Sequence, residues 1–420
     1  MKNVTFILSL YLFVFALFSY SADILISGKA DRSVKRTISL VNVRTDSSSG
    51  STEFLNVLKN DLQLSGWFEE VAPASASIII SGDVRVSNGN VSYNLNASWL
   101  ADTRTKKFTK SASVNNLRMN AHELSDKFTQ TFAENPGMAS SRILFVGRQS
   151  NSKNPDIYVC DSDGLSAMQI TRDSKLCLSP NWIPNENAFM YTSWLTGNPA
   201  VYKVNLNTNA RELISSYPGM NQGAVLSPNK DWLALVLSRS GGVDLYLKST
   251  KDNQLKRLTK SKKCNESSPS WSPDGKQLAF VDDSRSAPQI KIMSLRELFS
   301  GVASSPAVFG FKESVAPEWS DDGRIVFCGK TSQHNRYGIY VMHPSENAKA
   351  NSPKLVSPLD NADYEDPSWA PDNRHIVCTK IMNFKRQLVV LDTMGDSPRV
   401  LINLPGDWYL PAWSDKLTGF

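Results

Sequence analysis

At 420 residues, 41% of them hydrophobic, the chain exceeds one ordinary core of about 100–200 residues, so two domains or a repeat array are required. The formal charge of +6 is mild and its basic residues are scattered except around Lys256–Lys263, which excludes a nucleic-acid footprint; Lys260, Lys262 and Lys263 read as a solvated face. Five cysteines (Cys160, Cys177, Cys264, Cys328, Cys378) are odd in number and spaced singly, so neither a disulfide framework nor a zinc site follows. Cys160, Cys328 and Cys378 end apolar runs, where a buried thiol acts as a small hydrophobe, and Cys177 is left open to pairing.

In chain order, Lys2, the apolar run Phe6–Phe18 and the small residues Ser19, Ser21 and Ala22 read as a signal peptide over residues 1–21, cut before Ala22. An uncleaved anchor is the alternative. No later stretch is apolar and long enough to span a bilayer, so a soluble extracytoplasmic protein is expected. Next, Asp23, Ile24, Leu25, Ile26, Ser27 and Gly28 alternate like a strand with no hairpin partner nearby. They fit either an edge strand or a detachable segment that adds to a partner's sheet.

Residues 22–136 are expected to form a small α/β domain. Thr37–Val43, Ser77–Val86, Tyr93–Leu100 and Lys107–Val114 alternate as strands. Thr52–Leu64 places Phe54, Leu55, Leu58 and Leu62 on one helical face, capped by Ser51 and followed by Gly66. A second helix over Ala121–Phe132 directs Leu124, Phe128 and Phe132 inward, with Asn120 and Glu123 spaced as a capping box.

From about Gly137 to residue 420 one phrase recurs. It reads S-P-S-W-S-P-D-G-K-Q-L-A-F from Ser268, with copies from Ser179, Gly223, Ala316, Asp366 and Leu410. Its landmarks Trp182, Leu226, Trp271, Trp319, Trp369 and Trp413 lie 44, 45, 48, 50 and 44 residues apart, the period of a four-stranded propeller blade. Pro-Asp-Gly reverses the chain because Pro fixes φ and Gly accepts a left-handed backbone, so Asp274, Asp322 and Asp372 are turn residues before they are catalytic carboxylates. The tryptophan offers a flat surface between sheets, and Leu226 weakens that contact in one blade. Each phrase is followed by a strand such as Leu278–Val281, a second such as Ile290–Met293 and a third such as Arg257–Thr259. Arg142–Val146 has no phrase before it and the Trp413 phrase has no strand after it, so the two ends complete a sixth blade and close the ring. The fold class is a six-bladed β-propeller behind an α/β domain.

No chemistry motif accompanies this fold. The four histidines, His122, His334, His343 and His375, form no metal-spaced pair. Neither a G-x-S-x-G elbow nor a phosphate loop occurs, so no cofactor, metal or catalytic residue is expected. Propeller enzymes can assemble a site from several blades, which keeps a channel-sited hydrolase or small-ligand binder as the alternative. Segments before each phrase (Tyr217–Asn221, Cys264–Ser267, Asp363–Asp366, Trp408–Leu410) read as loops sharing one rim, with Tyr, Met and Trp suited to interface anchors.

The order of signal peptide, α/β domain, W-S-P-D-G blades and terminal Pro411-Ala412-Trp413-Ser414 resembles the TolB family, periplasmic members of the Tol-Pal envelope system, over essentially the whole chain. The resemblance implies a non-enzymatic adaptor, monomeric outside its complex, that binds the lipoprotein Pal and, through its N-terminus, TolA, and supports outer-membrane integrity and constriction in division. It places Pal-binding on propeller loops, at Met220, Asn221, Glu266 and Ser267, with Tyr364 and Glu365 on the same rim. It places TolA-binding on Asp23, Ile24, Leu25, Ile26, Ser27 and Gly28. The family has a histidine where Met220 stands, so a hydrogen bond at that point is lost here.

Overall fold

The computed structural model describes residues 35–149, 152–260, 265–283, 287–300, 306–345 and 351–416. The expected signal peptide, the strand Asp23–Gly28, and Cys264, Lys262 and Lys263 lie outside these residues. Among the described residues, no helix is long and apolar enough to cross a membrane.

The α/β region is built on five strands, β1 (Arg36–Thr45), β2 (Phe68–Glu70), β3 (Ile78–Ser87), β4 (Asn90–Trp99) and β5 (Thr105–Ser113), in the order β2-β1-β3-β4-β5. Helices α1 (Ser49–Leu64) and α2 (Leu117–Phe128) belong to the same core, burying Phe54, Leu58 and Leu62 from one and Leu124 and Phe128 from the other. Phe128 and Phe132 meet Phe108 edge-on, with ring centroids 4.8 and 6.0 Å away. Burying each such ring contributes about 1.5–3 kcal/mol. Two helix starts differ from expectation. Ser48 caps α1 by accepting the Ser51 N–H, and α2 begins at Leu117. Asn120 therefore sits inside α2, its amide donating to the Asn116 carbonyl instead of forming a capping box. The three-residue β2 is too short to leave a periodic signal in the sequence.

Six sheets follow, arranged as propeller blades. In blade one Asp407–Trp413 pairs with Arg142–Arg148, so strands from opposite ends of the array share a sheet. The inner strands of blades two to six are Cys177–Trp182, Asn221–Leu226, Glu266–Trp271, Phe311–Trp319 and Asp363–Trp369. The front half of each phrase is therefore itself the innermost strand. Leu278–Val281 and Ile290–Met293 are accordingly the second and third strands of their blade, not the first and second. The outer strand of blade three is Leu255–Arg257, ending before the expected Thr259. Blade four has three described strands and a short helix, Leu295–Ser300.

Apolar clusters fill the spaces between neighbouring blades. Between blades six and one, Val377, Leu388 and Val390 meet Phe145, Tyr158 and Cys160. The repeated tryptophan adds a directional tie to the preceding inner strand. Trp182, Trp271 and Trp369 donate Nε1–H to the carbonyls of Ala412, Val225 and Glu318 at 2.9, 3.1 and 3.2 Å. Trp413 donates to Ser141 Oγ at 2.7 Å, while Trp319 Nε1 is buried without a partner among the described residues. Leu226 can make no such bond. Cys160, Cys177, Cys328 and Cys378 are buried free thiols, and burial pushes the Cys177 thiol up to about 12.

The register defines two ends of the ring. The Pro-Asp-Gly turns lie at one end, and the α/β region packs there, within the unit formed by Lys35–Phe420. Arg118 of α2 bonds Asp161 at 3.1 Å and Asp163 at 2.6 Å. Arg374, in the blade-six turn, lies 4.5 Å over the Trp67 ring and pairs with Asp392 at 2.6 Å. Gly66 has φ +69°, and a Cβ there would strike the Arg374 guanidinium, so this approach requires glycine. His122 Nδ1 lies 2.7 Å from Asp61 and its Nε2 3.7 Å from Asp161. Burial alone would lower the imidazole, but the Asp161 and Asp61 carboxylates outweigh it and hold His122 up at about 10.

Candidate docking face at the open end of the ring

At the other end the inner strands begin, and nothing in the described chain covers them as the α/β region covers the turns. One residue in each inner strand decides how that mouth is shaped. Ser179, Gly223, Ser268, Ala316, Asp366 and Leu410 all have φ between +49° and +62°. Each opens a β-bulge: for example Ser267 pairs with Val281 and Ser270 with Ala279, leaving Ser268 and Pro269 opposite Phe280 alone. The same skip occurs in the other five inner strands. Proline suits the second bulge position because it has no N–H to lose from the ladder. Blade three has Ala224 there and relies on Gly223 for the left-handed backbone.

The bulges re-aim side chains around a central cavity of about 500 Å³ lined from all six blades. Among the described residues its lining carries the carboxylates Glu266, Glu318, Asp366 and Asp415 and no Lys, Arg or His. Glu318 Oε1 accepts the Trp369 N–H at 2.8 Å and Ser368 Oγ–H at 3.0 Å. Burial pushes Glu318 up to about 7 and Asp366 to about 6; Glu365, half-buried beside Asp366 and Asp363, also rises to about 7.

The residues expected on this rim fall into two groups, and the expectation that they occupy loops is corrected: Asn221, Glu266, Ser267, Tyr364 and Glu365 are all in inner strands. Asn221 is fully buried, accepting from Ser215 Oγ and the Tyr217 N–H at 2.7 and 2.9 Å while donating to the Tyr217 carbonyl at 2.7 Å. Tyr364 is buried and bonds Asp360 at 3.0 Å, and Glu266 is also buried. These three hold the mouth in shape. Met220, Ser267 and Glu365 are half-buried and reach it, Met220 with its N–H on Ser238 Oγ at 2.8 Å.

Elsewhere, Asp274 and Asp322 accept Ser272 and Ser320 hydroxyls at 2.7 and 2.6 Å, and Asp372 accepts the Arg374 and His375 N–H groups at 2.9 and 3.0 Å, as turn residues do. His334 and His343 are exposed. Among the described residues, His122, Asp161 and Asp163 have ligand atoms within 4.8 Å of one another, but Arg118 already neutralises both carboxylates.

Comparison with known proteins agrees with this architecture. Residues 126–417 match the family model for the TolB beta propeller domain. Proteins named Tol-Pal system protein TolB from Alcanivorax borkumensis and Desulfosudis oleivorans are 36% identical over 30% of this chain and 32% identical over 44% of it. The matched stretches span 29% and 42% of those relatives' own length. The crystal structure of TolB from Acinetobacter baumannii superposes with a TM-score of 0.80 at 21% identity, covering 91% of this chain and 97% of that one, which is a likeness of fold. With the family model covering well over half of the chain, including every blade, this protein belongs to the TolB β-propeller family.

Proposed function

We propose that this chain is a periplasmic adaptor of the Tol-Pal envelope system that docks the lipoprotein Pal on the open end of its ring and engages TolA through its N-terminal segment. The observation that carries the reading is the asymmetry of the ring in a chain of this family: the α/β region packs on the turn end, while no described element covers the mouth end. Met220, Ser267 and Glu365 are the proposed direct contacts; Asn221, Glu266 and Tyr364 support them from within. The Asp23–Gly28 segment is the proposed TolA strand, adding to its partner by main-chain pairing. Binding at the two places is coupled, so that Pal changes access to the N-terminus, and the assembly links outer membrane to cell wall during constriction.

Capture on immobilised Pal and TolA domains tests the adaptor. Binding to both, and a TolA affinity that shifts when Pal is added, is the expected result; equal TolA affinities with and without Pal remove the coupling. A second reading is supported by the cavity carboxylates: Glu318 and Asp366, at about 7 and 6 in the central cavity, have the values of an acid–base pair. Turnover of a peptide or glycan library that is lost in Glu318→Gln, with no Pal binding, would replace the adaptor by that hydrolase.

A further inference from the structure

We propose that Phe384 is the anchor by which the open end of the ring grips its protein partner, an inference that rests on the docking reading above. Two hairpins of the described chain close on two central residues. One joins β3 to β4, closing on the pair Ser87 and Asn90; the other joins His375–Met382 to Lys385–Asp392 in blade six, closing on Met382 and Lys385. Both central residues are left-handed in each, with φ of 50° and 74° at Asn88 and Gly89 and of 51° and 61° at Asn383 and Phe384. Turns of this kind favour Asn-Gly, because the second position crowds any Cβ. The first hairpin has Asn-Gly. The second has a phenylalanine in the same strained place.

A bulky residue in a left-handed turn is ordinarily compensated by packing. Phe384 has none, since its relative exposure is 104%, the highest of any large hydrophobic residue in the described chain. Within the monomer it both strains the backbone and leaves an aromatic ring in water. The Asn88-Gly89 turn, with open space around it, demonstrates that the same chain builds this geometry without either penalty. What distinguishes the two hairpins is their position: the blade-six tip lies at the mouth end, where the inner strands begin.

The hairpin is also held rigid from below. Lys380 bonds Asp360 at 2.8 Å and lies 5.3 Å over Tyr364, while Arg386 pairs with Asp407 and stacks 3.5 Å over Tyr409. These contacts tie the stem to the entries of two adjoining inner strands, whose connections expose Leu359 and Leu404, and Met382 is exposed beside the tip. A preorganised aromatic at the same end of the ring as the exposed Leu359, Leu404 and Met382 has the anatomy of an interface hot spot. The stem cations are neutralised by Asp360 and Asp407, but Lys385 is exposed and has no ion pair among the described residues. The net charge of the tip is therefore positive. The matching surface is a folded protein presenting an apolar socket bordered by carboxylates, continuous with the docking face around the cavity mouth.

Phe384→Gly creates Asn-Gly and separates fold from function, because it should help one and harm the other. Calorimetric titration with the Pal domain lacking its lipid, alongside thermal unfolding and sedimentation equilibrium, reads both. Expected for Phe384→Gly are a melting temperature about 2 °C higher and Pal binding weakened about tenfold or more; Lys385→Glu leaves melting unchanged and weakens binding about threefold or more at low salt. Pal binding by Phe384→Gly within twofold of wild type overturns the inference while leaving the docking reading intact. Failure of the wild-type chain to bind Pal removes both. Self-association of the wild type that Phe384→Gly abolishes, with Pal binding retained, assigns the ring to a second copy and equally overturns it.

Discussion

The two ends of the ring use the same residue types for opposite purposes. At the turn end Arg118, His122 and Arg374 meet Asp161, Asp61 and Asp392 with little solvent, Arg374 stacks on Trp67, and buried Asp126 accepts the Ala139 and Ser140 N–H groups at 2.8 and 3.0 Å. At the mouth end Lys380, Arg386 and Arg336 pair with Asp360, Asp407 and Asp363 at the surface, and Phe384 faces water. A buried pair is costly to break because the remaining charge cannot be resolvated, whereas an exposed pair contributes little to stability. Substitutions at the turn end should therefore register in folding, and those at the mouth end in binding.

The largest effect should come from what both ends share, the closure of the ring. Deleting residues 407–420 removes the inner strand of blade one and exposes Arg142–Arg148 as an edge. Loss of the cooperative unfolding transition is expected by circular dichroism, and a chain that still melts sharply would mean that closure is dispensable. Next, Arg374→Ala leaves Asp392 buried without its partner and should cost about 3–5 kcal/mol, against less than about 1 kcal/mol for Arg336→Ala at the mouth end; urea unfolding of the two variants compares the ends directly.

His122 offers a pH test of the covered end. Its folded value of about 10 lies above the ordinary 6.5, so its stabilisation is complete below pH 6.5 and is lost as pH rises toward 10. Stability should fall over that interval by at most about 1.4 kcal/mol per pH unit, and His122→Gln should flatten the slope. An unchanged slope would show that the imidazole is not the titrating group. The smallest expected difference lies within the blades: Trp369→Phe loses a bond to Glu318 and should cost about 1 kcal/mol more than Trp319→Phe, whose indole N–H has no partner among the described residues. Equal costs would assign the tryptophan's role to packing alone.

Much of this was legible in the chain. The phrase spacing and the unmatched ends at Arg142 and Trp413 fixed the blade count and the closure, because a turn signal and an alternating strand are local properties. The rim was read less well. Asn221, Glu266 and Tyr364 looked like loop residues since their bulged strands interrupt alternation at Gly223, Ser268 and Asp366, and local pattern cannot report which side chains a bulge turns inward. Phe384 is not legible for the same reason: nothing local in Met-Asn-Phe-Lys reports that its backbone is left-handed or that its ring stays in water.

The sequence by itself determined that blades form, how many there are and how they close, since hydrophobic period, turn chemistry and phrase spacing act over a few neighbouring residues. Only the tertiary structure decided which end of the ring is covered, which carboxylates share the cavity and which aromatic is left in water. Those outcomes depend on residues hundreds of positions apart being brought together, and burial, desolvation and charge pairing exist only once they have been.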